Sequence, residues 1–415
     1  MTPLQGICFL SILLAPLAGA GLSLINTGLG RSRSAAHAML SSMLLMACGA
    51  VVYLICGAAL RGTGGTSIMS GPHWSWMGVR GFFLLGIDWN SSPDQTLTIL
   101  HGLVCASLVA LIPFGAGSDR WRLTSALIVG SLLAATVFPL LAHWTWSESG
   151  WLSKLDLIAG LPRGFADAGG AGALHFVGGS AALALVWMLG PRHGKYNEPG
   201  LPAALPGHDV VLAMAGAFLA LIGWLGLNSA GAILYEKAAV GQIVATALNT
   251  MLCAAGGALA AAMFTKSRYG RPDASLSVNG WTGGLVASSA VASTVSPSVA
   301  LLVGLVAGVL VPFFIELMDV HLAFDDPGGT VASHLLTSIW GLLASALFGT
   351  GSVFAQLAGI ATLIGFAFPV TYGIVWLSSR LVPLRTLPEG DRHGMDLHEL
   401  GAGAYPEFMT HREGY

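Results

Sequence analysis

Two nine-residue stretches of the chain nearly repeat each other, and each ends in a histidine inside a long apolar run: Asp167-Ala-Gly-Gly-Ala-Gly-Ala-Leu-His175 and Asp326-Pro-Gly-Gly-Thr-Val-Ala-Ser-His334. An ionisable side chain within membrane depth is rare and marks a functional site by default. A neutral imidazole carries one donor and one acceptor nitrogen, so two facing rings can hydrogen-bond to each other and still present a nitrogen to a lumen. Burial in an apolar lumen strips the charged form of its hydration, which leaves such a pair mostly neutral, sharing at most one proton and titrating as a unit. That chemistry suits a small solute that sheds its charge to cross. Two alternatives stay open at this point: a packing role for each histidine, and bis-histidine haem ligation across a bundle.

The elements that must position this pair are set by composition. Of 415 residues, 54% are hydrophobic and 9% charged, against about 25% charged in soluble domains. Apolar segments of about 20 residues, enough to cross a bilayer core, recur along the length. The net charge of −2, with no basic run, argues against a nucleic-acid partner. All five cysteines (Cys8, Cys48, Cys56, Cys105, Cys253) lie in apolar segments at irregular spacing, so neither a disulfide framework nor a metal site is expected. The N-terminus lacks the basic region of a signal peptide, so the first apolar stretch reads as a retained span.

The expected fold is all-α and polytopic, with eleven transmembrane helices near 4–28, 35–60, 95–117, 122–143, 171–191, 208–230, 239–265, 276–294, 297–319, 331–350 and 353–381. A transmembrane domain over 1–382 is followed by a cytoplasmic tail over 383–415. With the N-terminus outside, 13 of the 18 Lys and Arg residues fall on the inner side; only Arg61, Arg80, Lys154, Arg163 and Lys237 fall outside. That split supports N-out, C-in. Asp167 then enters the fifth span from outside and Asp326 enters the tenth from inside, the mark of an inverted repeat, spans 1–5 against 6–10, plus a final helix. Eight helical residues advance about 12 Å, most of the roughly 15 Å half-thickness of the hydrocarbon core. The two histidines are therefore expected to meet near the midplane, with the motif glycines allowing close helix approach.

At this level the chain resembles the Amt branch of the ammonium transporter/Rhesus family along almost its full length. The resemblance rests on GLSLINTGLGRSRS (21–34), HWTWSESGWLSKL (143–155), DAGGAGALHFVGG (167–179), GPRHGKY (190–196), PGHDVVLAMAGAFLALIGWLGLNSAG (206–231), FDDPGGTVASHLLTSIWG (324–341) and GMDLHELGAGAYPEF (394–408), in that order. It implies passage of ammonium or ammonia, not enzyme catalysis, through a narrow pore in each protomer of a homotrimer in the bacterial inner membrane, with no cofactor and no metal. By the same resemblance His175 and His334 are the twin pore histidines and proton relay. Trp146 is the aromatic wall of an outer recruitment site, where a cation–π contact favours ammonium; Asp167 supports that site structurally. Its other reading, shared with Trp144 and Trp151, is an interfacial belt tryptophan.

Three positions depart from the family pattern. The two phenylalanines of the outer gate fall on Cys105 and Leu227, and the serine that lends a hydroxyl to the outer cation site falls on Gly231. His101 stands one turn before Cys105 as a candidate contact at the mouth. The interior thus matches in kind while the mouth differs, which points to weak cation recruitment or a preference for neutral ammonia. A second reading is an ammonium receptor that binds without conducting, although the tail is too short for a signalling domain. The tail resembles the family segment that packs under the pores and lies near the docking surface of PII-type regulators.

Overall fold

The computed structural model describes residues 2–69, 71, 74–90, 92–196, 202–349 and 351–405; the end of the expected tail, with Arg412, lies outside them. Among the described residues ten helices are long and apolar enough to span a membrane: α1 (Pro3–Leu29), α2 (Ser32–Leu60), α3 (Pro93–Gly117), α4 (Leu123–Trp146), α5 (Ala171–Leu189), α6 (Val210–Glu236), α7 (Val240–Tyr269), α9 (Pro297–His321), α10 (Val331–Phe348) and α11 (Val353–Leu381). Between α7 and α9 runs α8 (Ala274–Val291), 18 residues and about 27 Å long. It stands where the eighth span was expected but is more polar than the others. The reason is its surroundings: α7, α9 and α10 pack around it, and Asn279, Thr282, Ser288 and Ser289 are buried in protein, not lipid. The chain is a multi-pass, all-α membrane protein, with large apolar side chains such as Val211, Phe218, Leu259, Met263 and Phe313 exposed on its outside.

The helix ends follow their sequences. Thr2 and Gln5 form a reciprocal capping box at the start of α1, and Pro16 interrupts that helix at Ala15. Asp209 and Asp273 cap α6 and α8 by accepting from Leu212 and Leu276 N–H at 2.9 and 2.8 Å.

The internal repeat is visible in the packing. α1 lies on α6, its repeat equivalent, where a Cβ on Gly223 would come within 1.9 Å of Ala18 N and one on Gly21 within 2.4 Å of Ala220 N. α5 lies on α10 in the same way, with Gly179 against Leu335 N at 2.4 Å from a built Cβ. Both α5 and α10 open alike: a glycine in the left-handed region (Gly170 φ 81°, Gly329 φ 63°), then a π-helical turn, Ala171–Phe176 and Val331–Leu336, that carries the histidine. Such π turns are uncommon and gather at functional sites.

At the end opposite Trp146 the loops are tied by buried ions. Arg192 forks onto Asp325 with two side-chain bonds of 2.9 Å and reaches Asp119 at 2.9 Å, while Arg120 donates to the Asp325 carbonyl at 2.6 Å. Burial pushes the Asp325 pKa up, but the guanidinium groups of Arg192 and Arg120 outweigh it and hold the carboxyl well below the usual carboxylate range. Breaking a buried pair from one side leaves an uncompensated charge, so Arg192→Ala is expected to cost about 3–5 kcal/mol, read as a lower melting temperature in detergent.

The tail folds under the same end. Asp396 accepts from the N–H groups of Ala36 and His37 at 3.2 and 2.7 Å. Glu399 bonds His37 Nε2 at 3.0 Å and Leu123 N–H at 2.9 Å, with Arg122 at 3.5 Å. Burial raises the Glu399 pKa, yet these partners together hold it below its ordinary value. A depressed folded value means that the contact stabilises at and above the ordinary glutamate range, about pH 4.3, and is lost as pH falls through the lower folded value. Proteolysis of the tail is therefore expected to be slow at neutral pH and several-fold faster near pH 3 or in Glu399→Gln.

Candidate functional site

His175 and His334 meet in the middle of the bundle. Their Nδ1 atoms are 3.4 Å apart and their ring centroids 5.3 Å, with the planes inclined by 44°. Both rings are buried, and Trp224 of α6 stacks on His175 at 5.1 Å and 9°. One Nδ1–H donates and the other Nδ1 accepts, so the pair holds at most one proton between its facing nitrogens. His175 Nε2 has no partner among the described residues. On the tail side of His334 lies a cavity of about 10 Å³ lined by Ile25, Asn26, Ile112, Asn279 and Thr282, room for about one water-sized molecule. With the nearest nitrogens this close and Trp224 flat against one ring, no porphyrin fits between them, so the geometry rules out haem ligation by this pair.

Asp167 and Asp326 set the histidines by capping the π turns. The Asp167 carboxylate accepts from Gly172 N–H at 3.0–3.1 Å and from Ala173 N–H at 2.9 Å. Asp326 accepts from Val331 N–H at 2.7 Å, at the same five-residue offset. Two of the four orphan donors of a helix start are thus satisfied by Asp167. Its carboxylate is turned to the backbone, and its carbonyl accepts from Trp146 Nε1 at 2.7 Å.

Trp146 lies on the wall of a vestibule of about 430 Å³ that is also lined by Asp167, Tyr235, Glu236, Gln242 and Thr294. One Glu236 carboxylate oxygen has no hydrogen-bond partner among the described residues. The indole of Trp146 stacks on Tyr235 at 4.7 Å and 5°. Between this vestibule and the histidines stand the expected mouth residues, all buried: His101, Cys105 and Leu227. The Tyr235 hydroxyl and His101 Nδ1 share a hydrogen bond of 2.9 Å, and Cys105 Sγ lies 3.7–3.8 Å from the His101 nitrogens. At Gly231 a Cβ would come 2.0 Å from the Ala168 carbonyl oxygen. Where the resemblance leads one to expect a serine hydroxyl, the Ala168 backbone fills the space.

The Ammonium Transporter Family model matches residues 7–405. The chain belongs to the ammonium transporter family. Among its relatives, the Amt2 ammonium transporter of Archaeoglobus fulgidus is 30% identical over 414 residues, covering 94% of this chain and 85% of that one. The ammonium transporter of Bacillus subtilis is 27% identical, covering 97% and 98%. Among solved structures, one described as a sensor Amt protein is 25% identical and covers 95% of this chain and 98% of that one, with a TM-score of 0.86. Candida albicans Mep2, at 23% identity, a TM-score of 0.81 and coverage of 100% and 92%, shares the fold.

Four side chains at this ammonium transporter family site are not singled out by their sequence context: Arg61, Tyr235, Glu236 and Trp224. Tyr235 and Glu236 close α6 one turn after Gly231, and Arg61 follows the last apolar residue of α2. A polar residue at the mouth end of an apolar run is the one available signal, and it does not tell whether the side chain turns inward.

Proposed function

We propose that the chain conducts ammonium nitrogen across the bacterial inner membrane through a pore in each protomer of a homotrimer. Ammonium collects in the vestibule beside Trp146, with Asp167 holding that wall and Glu236 supplying negative charge. It loses a proton there, and ammonia passes His101, Cys105 and Leu227, then His175 and His334. An intact cation would pay several kcal/mol or more at bilayer depth, whereas ammonia keeps hydrogen bonds along two neutral imidazoles. The observation that carries the reading is the contact of the two buried, repeat-related histidines at 3.4 Å, with a cavity of about 10 Å³ beside His334. The charge split of the loops supports an external N-terminus and a cytoplasmic C-terminus, and the tail folded beneath the bundle supports a cytoplasmic face for a PII-type regulator.

Labelled methylammonium is expected to enter proteoliposomes well above empty vesicles. A second reading, a sensor that binds without conducting, draws on the likeness to a solved sensor Amt protein; it predicts ammonium-induced thermal stabilisation with no flux.

A further inference from the structure

Arg61 leaves the end of α2 and turns inward, reaching 4% exposure. Its guanidinium donates to the Thr98 carbonyl at 2.6 Å, to the Tyr235 hydroxyl at 2.5 Å and to the Tyr53 hydroxyl at 3.4 Å. Its Cζ lies 5.3 Å from the Trp146 ring centroid and 5.4 Å from that of Tyr235. His143 of α4 fixes the backbone here, bonding the Arg61 carbonyl through Nδ1 at 2.8 Å. Among the described residues no carboxylate lies within ion-pair distance of this guanidinium. A guanidinium is charged at any relevant pH, and burying one without a counter-ion is expensive. Aromatic faces and neutral oxygens are what stabilise it instead, and they are the same groups that would hold a small organic or inorganic ammonium ion.

The hydrogen bonds run on from the guanidinium to His101. Arg61 donates to the Tyr235 hydroxyl, and that hydroxyl shares a hydrogen bond with His101 Nδ1. The charge is thereby coupled to the residues between vestibule and twin histidines. A fixed positive charge against the Trp146 and Tyr235 rings opposes the entry of a second cation past them, from the vestibule towards His101.

We propose that Arg61 is the specificity-determining residue of this pore: its guanidinium sets a cation of the protein's own at the edge of the aromatic cage that Trp146 and Tyr235 form, keeps ammonium in the vestibule, and leaves neutral ammonia as the species that proceeds. This rests on the transport reading above. In the step itself one N–H bond of ammonium breaks, the electron pair stays on nitrogen, and the proton goes to vestibule water. Outside the membrane one proton is released, inside one is taken up by ammonia, and no net charge crosses. Arg61 acts through its charge and through Tyr235, without touching ammonia.

The test compares wild type, Arg61→Lys and Arg61→Gln in liposomes, reading luminal alkalinisation and, on a supported membrane, current after an ammonium jump. Wild type and Arg61→Lys are expected to alkalinise the lumen with no current above empty membranes. Arg61→Gln empties the cage of charge and is expected to gain a current at least tenfold above the empty-membrane background, with methylammonium raising its melting temperature where wild type shows no shift. Wild-type current that matches its flux overturns the proposal, as does Arg61→Gln without gain of current or of ligand-induced stabilisation. Absence of any wild-type flux sinks the transport reading alone, and the melting shift then decides the cage by itself. If Arg61→Gln does not assemble, Tyr235→Phe removes one hydroxyl that holds the guanidinium; a partial gain supports the proposal and none overturns it.

Discussion

Replacing both His175 and His334 with Ala is expected to reduce ammonia flux to that of empty liposomes while leaving the protein folded. The two rings are the polar groups in direct contact at the centre of the lumen, 3.4 Å apart and covered by Trp224. Without them a molecule of ammonia gives up its hydrogen bonds in an apolar stretch. Losing one such bond without replacement costs about 2 kcal/mol, or roughly thirtyfold in rate, and two lost partners multiply the effect. Single replacements are expected to fall between, because the surviving ring still offers one nitrogen. Stability should fall less than for most core truncations of this size, since each deletion also removes a buried polar group from its apolar surroundings. Luminal pH change after an ammonium jump, alongside the melting temperature, separates lost conduction from lost fold.

Asp167→Ala is expected to be the second most damaging change, through geometry and not through charge. It strands the N–H groups of Gly172 and Ala173 at the start of the π turn that holds His175. An unsatisfied buried donor costs about 1–3 kcal/mol, and lost helix caps cost about 0.5–2 kcal/mol. A destabilisation of about 2–4 kcal/mol follows from these principles. Asp167→Asn keeps one acceptor oxygen and should lose about half as much. Flux is expected to drop at least tenfold in Asp167→Ala, because a turn free to return to α-helical pitch moves the imidazole away from His334. Thermal melting and flux measured on the same preparation check both parts.

The twin-histidine site was legible because it is written in spacing. Two Asp-to-His intervals of equal length, on spans of opposite direction, place the rings at one depth, and the glycines with positive φ at 170 and 329 preserve that register. Ten of the eleven expected spans return among the described residues as helices apolar enough to cross a membrane; α8 is more polar because a helix enclosed by α7, α9 and α10 has no lipid to satisfy. The mouth was legible only as a set of departures. Sequence shows that residue 231 lacks a hydroxyl, but not that the Ala168 carbonyl occupies the place of one. Arg61 counts along the chain as one more external charge. Its inward turn depends on Tyr53, Thr98 and Tyr235, and the last of these lies 174 residues away. Local pattern carries no information about such a meeting.

In the proposed conduction, ammonia itself passes through this protein beside the paired histidines. Sealed liposomes loaded with a pH-sensitive dye and holding the wild-type chain, mixed rapidly with ammonium, test it most directly. Luminal alkalinisation is expected to run several-fold faster than in empty liposomes, with an excess that disappears when His175 and His334 are both Ala. Alkalinisation no faster than in empty liposomes, or an excess that survives the double replacement, contradicts it.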